Sequence, residues 1–117
     1  MNHEPLLLHI ETSTDVCSVA FSQGYAIIGH ALEKEGRRHA ALLPLMIEEA
    51  RMASGIGISE LDAVCYSQGP GSYTGLRVGL STAKGICYAL SKPLIAVPTL
   101  LALTYSIEAP EQGCILI

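Results

Sequence analysis

The run Ser67-Gln68-Gly69-Pro70-Gly71-Ser72-Tyr73-Thr74-Gly75-Leu76-Arg77-Val78-Gly79 constrains this chain more than any other stretch. It joins residues 61–67, an apolar segment that reads as a buried strand, to residues 74–90, where apolar and small residues recur at helical spacing. Strand, glycine-rich turn and helix in that order predict a crossover unit of a parallel sheet. Gly75, Gly79 and Ala83 stand four apart and so share one stripe of the helix. A glycine inside a helix costs about 0.5–1 kcal/mol relative to alanine, so the stripe implies that something comes close to this backbone. A second helix is the expected visitor, and on that reading Gly79→Arg would block pairing and leave the monomer folded.

The glycine-rich run fits the known phosphate cradles poorly. Gly69, Gly71 and Gly75 are spaced one residue too widely for the dinucleotide fingerprint, and no Gly-Lys-Ser/Thr follows as in a phosphate-binding loop. Ser72 stands one place early for the nucleophile elbow of a hydrolase. A turn followed by a helix cap, with Ser72 or Thr74 as the capping residue, accounts for the pattern better than a direct ligand site.

Upstream, residues 5–12, 16–22 and 26–32 read as three strands separated by short turns, hence a meander. Residues 38–54 read as a helix closed by Gly55 and Gly57, with Pro44 either near its first turn or kinking it. Its apolar residues, Leu42, Leu43, Leu45, Met46, Ile47, Ala50, Met52 and Ala53, spread around most of the circumference, which suits a helix either central in a large core or, more economically for a chain of this length, shared with another subunit. A strand at 93–97, a helix at about 98–107 and a strand at 114–117 complete the order β-β-β-α-β-α-β-α-β, a mixed sheet of the α/β class.

Composition narrows the function classes. Of 117 residues half are hydrophobic and only 15% charged, so exposed apolar surface is expected. Seven Lys and Arg against eleven Asp and Glu disfavour unaided nucleic-acid binding. Cys17, Cys65, Cys87 and Cys114 are widely spaced in apolar surroundings and read as buried free thiols of a cytoplasmic protein. No apolar run reaches membrane-spanning length. His3, His9, His30 and His39 include no pair four apart, so the helical H-x-x-x-H metal spacing is missing.

The residues Ile10-Glu11-Thr12-Ser13, His39 followed by Leu42-Leu43-Pro44, the 67–79 run, and Pro93-Leu94-Ile95-Ala96-Val97-Pro98-Thr99-Leu100 together resemble the TsaB (YeaZ) family over nearly the whole chain. The resemblance implies the actin-like, hsp70-like or sugar-kinase fold, of ribonuclease H-like topology. Residues 1–112 would be the first of two lobes, and 113–117 the first strand into a second. It implies a non-catalytic scaffold or activator in making threonylcarbamoyladenosine in tRNA, with no catalytic residue and no metal of its own. The partners would be the catalytic homologue TsaD, a TsaE-type ATPase, and a second copy when the partner is absent, tRNA being touched only indirectly. The interface would comprise His39, Leu42, Met46, Ala50, Thr74, Gly75, Arg77, Val78, Gly79, Thr82 and Ala83. In this fold the hairpin after the first strand binds phosphate. Here it reads Glu11-Thr12-Ser13-Thr14-Asp15, with Ser13 where glycine is typical. Thr12, Ser13 and Thr14 are therefore expected to hold at most weak or interface-shared ATP or ADP, or simply to satisfy a tight turn. The competing class is an enzyme: an ATP-dependent phosphotransferase of the same fold, or a glycoprotease-type peptidase.

Overall fold

A computed structural model describes residues 4–14, 16–34 and 39–98, the side chains of 39 and 40 excepted. Three strands open the chain: β1 (Leu6–Glu11), β2 (Cys17–Gln23) and β3 (Ala26–Glu33). Helix α1 (His39–Ser54) follows, then a 3₁₀ turn (Ile58–Glu60), β4 (Ala63–Gly69), helix α2 (Tyr73–Leu90) and β5 (Leu94–Pro98). Among the described residues the sheet runs in the order β3-β2-β1-β4-β5. The meander is antiparallel, whereas β4 pairs parallel to β1 and β5 parallel to β4. The mixed α/β class and the order of the first seven elements match the sequence reading, with boundaries moved by one or two residues. The strand at 114–117 and nearly all of the helix at 98–107 fall outside the described residues, as does Cys114.

Period-2 alternation decides which side of the sheet becomes core. Leu6, Leu8 and Ile10 on β1, Cys17, Val19 and Phe21 on β2, and Ala31 on β3 are buried. The register places Leu8 beside Phe21 and Val64, and Ile10 beside Val19. Both described helices pack on this face. From α1 it receives Leu43, Met46, Ile47 and Ala50, an apolar set at steps of three and four. From α2 it receives Gly75, Gly79, Ala83 and Cys87, spaced by four throughout. Side chains this small bring α2 close to the strands. A Cβ at Gly79 would collide with Thr12 Oγ1 at the end of β1 and come within 3.6 Å of Ile10 Cγ2.

Pro44 lies in the second turn of α1 and is exposed. The start of β1 is fixed from the segment before β4: the Asp62 carboxylate accepts the Leu6 amide at 2.8 Å, and the Leu6 carbonyl accepts the Asp62 amide at 2.8 Å. Cys17, Cys65 and Cys87 are free and buried, and burial raises the pKa of each thiol. No helix among the described residues is long and apolar enough to cross a membrane.

Five of the interface residues expected from sequence are corrected by this packing. Met46, Ala50, Gly75, Gly79 and Ala83 are buried inside the chain itself. The close approach that the glycine stripe announces is that of the chain's own sheet, because a side chain at Gly79 would collide with the Thr12 hydroxyl. Gly79→Arg is accordingly expected to prevent folding, since a buried unpaired charge and overpacking together exceed about 4 kcal/mol. Loss of the cooperative thermal transition checks this; a Gly79→Arg monomer with an unchanged transition contradicts it.

The opposite face carries His9, whose Nε2 lies 2.7 Å from Ser22 Oγ. Burial lowers the His9 pKa from 6.5, so the native state keeps the ring neutral. Below pH 6.5 the unfolded chain binds the proton first, and stability falls as pH drops from there through the lowered native value. The thermal midpoint should therefore decline from pH 7 towards pH 5, with a shallower decline in His9→Gln, as scanning calorimetry would register.

Candidate functional site

Once Gly75, Gly79, Ala83 and Cys87 have turned inward, helical geometry leaves three step-four rows on α2, of which two line the side towards α1. One is Tyr73, Arg77, Ser81 and Gly85; the other is Thr74, Val78, Thr82 and Ile86. Tyr73, Thr74, Arg77, Val78, Ser81 and Thr82 line an open depression of about 400 Å³. From Ser81 and Thr82 it continues into a groove of about 430 Å³ between α2 and α1, whose other wall includes Pro44, Ile47, Glu48 and Arg51. The result is a long, shallow, mainly apolar trough with helical ridges on either side. Its form suits another helix laid along it better than it suits a small molecule, which is usually held in a concave, enclosing pocket.

Local chemistry fixes the trough's polar points. Ser72 caps α2, its Oγ accepting the Gly75 amide at 3.3 Å. The Arg77 guanidinium stands 5.4 Å from the centre of the Tyr73 ring, and its Nη1 is 3.4 Å from the Tyr73 hydroxyl. That stacking restrains a side chain that is otherwise exposed. On α1, Arg51 donates to both carboxylate oxygens of Glu48, at 2.8 and 2.5 Å, and Nη1 donates to the Ile56 carbonyl at 2.9 Å. The pair lowers the Glu48 pKa and raises that of Arg51. Glu48 is therefore engaged within its own chain, whereas Arg77 presents its charge outward. Leu45 and Met52, on the outer side of α1, are 67% and 68% exposed, and Tyr73 is 74% exposed.

The structure divides the sequence-based interface set. Thr74 and Arg77 are exposed, Leu42, Val78 and Thr82 are half-buried, and all but Leu42 line the trough. His39 opens α1, but its side chain lies outside the described residues. Ser81, Gly85, Ile86 and Arg51 escaped the sequence reading, and Tyr73, Pro44 and Glu48 join them in lining the trough. The signal that would have found those on α2 is the pair of step-four rows at 73, 77, 81, 85 and at 74, 78, 82, 86. Periodicity names the rows equally well but does not say which one faces inward.

The turn after β1 was the other candidate. Thr12 and Ser13 are 1% and 2% exposed. Thr12 Oγ1 donates to the Gly75 carbonyl at 2.6 Å. The Glu11 carboxylate accepts the Ser13 amide at 2.8 Å and also the Ser13 hydroxyl. Thr14 is exposed, and its Oγ1 accepts the Val16 amide at 3.1 Å. Two of the three hydroxyls considered for nucleotide are thus turned into the protein, and all three stabilise the turn. Beside it, at the carboxyl ends of β1, β4 and β5, a hollow of about 130 Å³ is lined by His9, Glu11, Cys65, Tyr66, Ser67 and Val97. Burial holds both the His9 ring and the Cys65 thiol in their neutral forms.

Residues 27–117 match the family model described as TsaD: tRNA N6-adenosine threonylcarbamoyltransferase. The chain is 38% identical to the tRNA threonylcarbamoyladenosine biosynthesis protein TsaB of Haemophilus influenzae, a match over 83% of this chain and 41% of that protein. Its counterpart of the same name in Escherichia coli is 33% identical, over 83% of this chain and 42% of that protein. A solved structure of YeaZ from Pseudomonas aeruginosa superimposes with a TM-score of 0.80 at 30% identity, covering 93% of this chain and 49% of that one. The chain thus spans under half the length of these relatives, and the superposition gives it their actin-like, ribonuclease H-like fold. With more than half of its residues inside the model and its fold shared with YeaZ, the chain belongs to the TsaD family of tRNA threonylcarbamoyladenosine biosynthesis proteins, and within that family it is similar to TsaB.

Proposed function

We propose that this protein is a non-catalytic subunit that supports threonylcarbamoyladenosine formation in tRNA, acting by pairing with a catalytic TsaD homologue along the outer faces of α1 and α2. The observation that carries the reading is the trough. Its walls are helical ridges, its floor includes the small residues Ser81 and Gly85, and its stacked Arg77 offers one outward charge for an acidic residue of the visitor. Similarity to proteins named TsaB supplies the process in which such a pairing would matter.

The physics of association fits this assignment. A stable heteromeric contact buries on the order of 800 Å² per partner, so neither helix alone would suffice and both must contribute. Apolar area removed from water is worth roughly 25 cal/mol per Å² before the entropic cost of docking. Leu45, Met52 and the outer rows of α2 are the apolar area on offer. A TsaE-type ATPase would join the assembled pair, a second copy of this chain would occupy the same faces when the partner is absent, and tRNA would be held chiefly by the partner. The setting would be the cytoplasm.

Gly85 provides the test, because a Cβ there meets nothing within 4 Å. Gly85→Arg should leave the monomer folded with a thermal midpoint equal to or above that of wild type, and fill the groove. In light scattering of the full-length protein mixed with its cognate TsaD homologue, wild type should form a 1:1 complex, and Gly85→Arg should weaken it at least tenfold, about 1.4 kcal/mol. A complex of undiminished affinity overturns the proposed face. ATP turnover by the full-length protein alone, abolished by substitution of its own residues, would replace the scaffold reading with the enzymatic one.

A further inference from the structure

The turn after β1 grips the start of α2 in two places. Thr12 Oγ1 donates to the Gly75 carbonyl at 2.6 Å, and the Ser13 carbonyl accepts the Ser72 amide at 2.7 Å. Both grips are backed. Glu11 accepts from the amide and the hydroxyl of Ser13, which holds the turn in shape. Gly71 lies so close to Ser13 that a Cβ there would collide with the Ser13 carbonyl oxygen. Gly79, one helical turn beyond Gly75, leaves room for the Thr12 hydroxyl: a Cβ at position 79 would collide with Oγ1 yet stand 3.5 Å from Thr12 Cβ, an ordinary contact. A single buried hydroxyl thus determines how near α2 lies to the sheet and where along the sheet its first turn stops.

We infer that Thr12 is a positioning residue for the pairing face: by bonding Gly75 and seating against Gly79, its hydroxyl sets the placement of α2 and so the alignment of Tyr73, Arg77, Val78 and Ser81 with α1. This rests on the pairing proposed above. Thr12 touches no partner itself, being 1% exposed, and acts only through α2. Replacing its hydroxyl by a methyl in Thr12→Val keeps the shape but removes the bond. The larger carbon then pushes the Gly75 and Gly79 turn outward, because a carbon and a carbonyl oxygen do not approach to 2.6 Å. Thr12→Ser keeps the hydroxyl.

The experiment combines a coupling cycle with an association measurement on the full-length protein. Gly79→Ala should lower the thermal midpoint by about 4 °C or more in the wild-type background. In the Thr12→Ala background, where only Cβ remains to be met, it should lower the midpoint by far less. Equal shifts in the two backgrounds overturn the seat. Thr12→Val, assayed at a temperature at which it is fully folded, should bind the cognate TsaD homologue about tenfold more weakly, and Thr12→Ser should restore wild-type affinity. Wild-type affinity in Thr12→Val overturns the positioning role, as does a Thr12→Ser protein as weak as Thr12→Val. If wild type shows no association, the proposed pairing itself fails. Amide exchange at residues 75–79 then decides the positioning role alone: faster exchange in Thr12→Val but not in Thr12→Ser supports it, and equal rates overturn it.

Discussion

A threonine hydroxyl lodged between two helical glycines is the contact on which this fold turns. Thr12 directly follows β1, and α2 can rest on it because position 79 has no side chain and the Gly75 carbonyl accepts its hydroxyl. A buried hydroxyl left unbonded would cost about 1–3 kcal/mol, so the Gly75 carbonyl is as necessary as the space beside it. The separation of α2 from β1 and β4 follows, and with it the stripe that is used up inside. Everything the helix shows to the outside is what remains.

What remains is an outward surface with apolar rows and a groove. Small residues inward let the sheet and helix close together, so residues of the rows at 73, 77, 81, 85 and at 74, 78, 82, 86 face outward and line the trough that runs to α1. On α1, the set at 43, 46, 47 and 50 is consumed by the core, yet Leu45 and Met52 stay exposed. A helix with apolar residues left over after its core is filled is suited to a second protein. The Glu48 and Arg51 pair marks the rim and keeps its charges for itself. Arg77, held over Tyr73, is a cation that faces outward beside the trough.

Much of this architecture was legible in the sequence. Apolar segments broken by short turns in residues 5–32 marked three strands, and Ser72 was already one of two candidate caps. The beginning of β4 moved from 61 to Ala63 because the preceding residues do other work: Leu61 is buried, and the Asp62 carboxylate pins the start of β1. The 3₁₀ turn at Ile58–Glu60 was not read, being three residues long with no periodicity to detect. The serious misreading was one of side. A period of four shows that Gly75, Gly79 and Ala83 share a face and that something lies against it, but a stripe accommodates the chain's own sheet as readily as a foreign helix. Only the long-range contact with Thr12, 63 residues before Gly75, settles the matter, and that separation is invisible to local pattern. The hydroxyls at 12–14 show the same limit: their residue types suit a phosphate or a tight turn, and the turn is what they build.

Thiol labelling at Ser81, in the middle of the outer row, tests the division of α2 into an inner and an outer side most directly. Full-length Ser81→Cys should react readily with a maleimide when free, because Ser81 is exposed, and Cys87 should stay protected in its buried position. With the cognate TsaD homologue bound, labelling at position 81, followed by mass spectrometry of its peptide, should slow at least tenfold. Unchanged labelling at position 81 within an intact complex would place the partner elsewhere and contradict the pairing face.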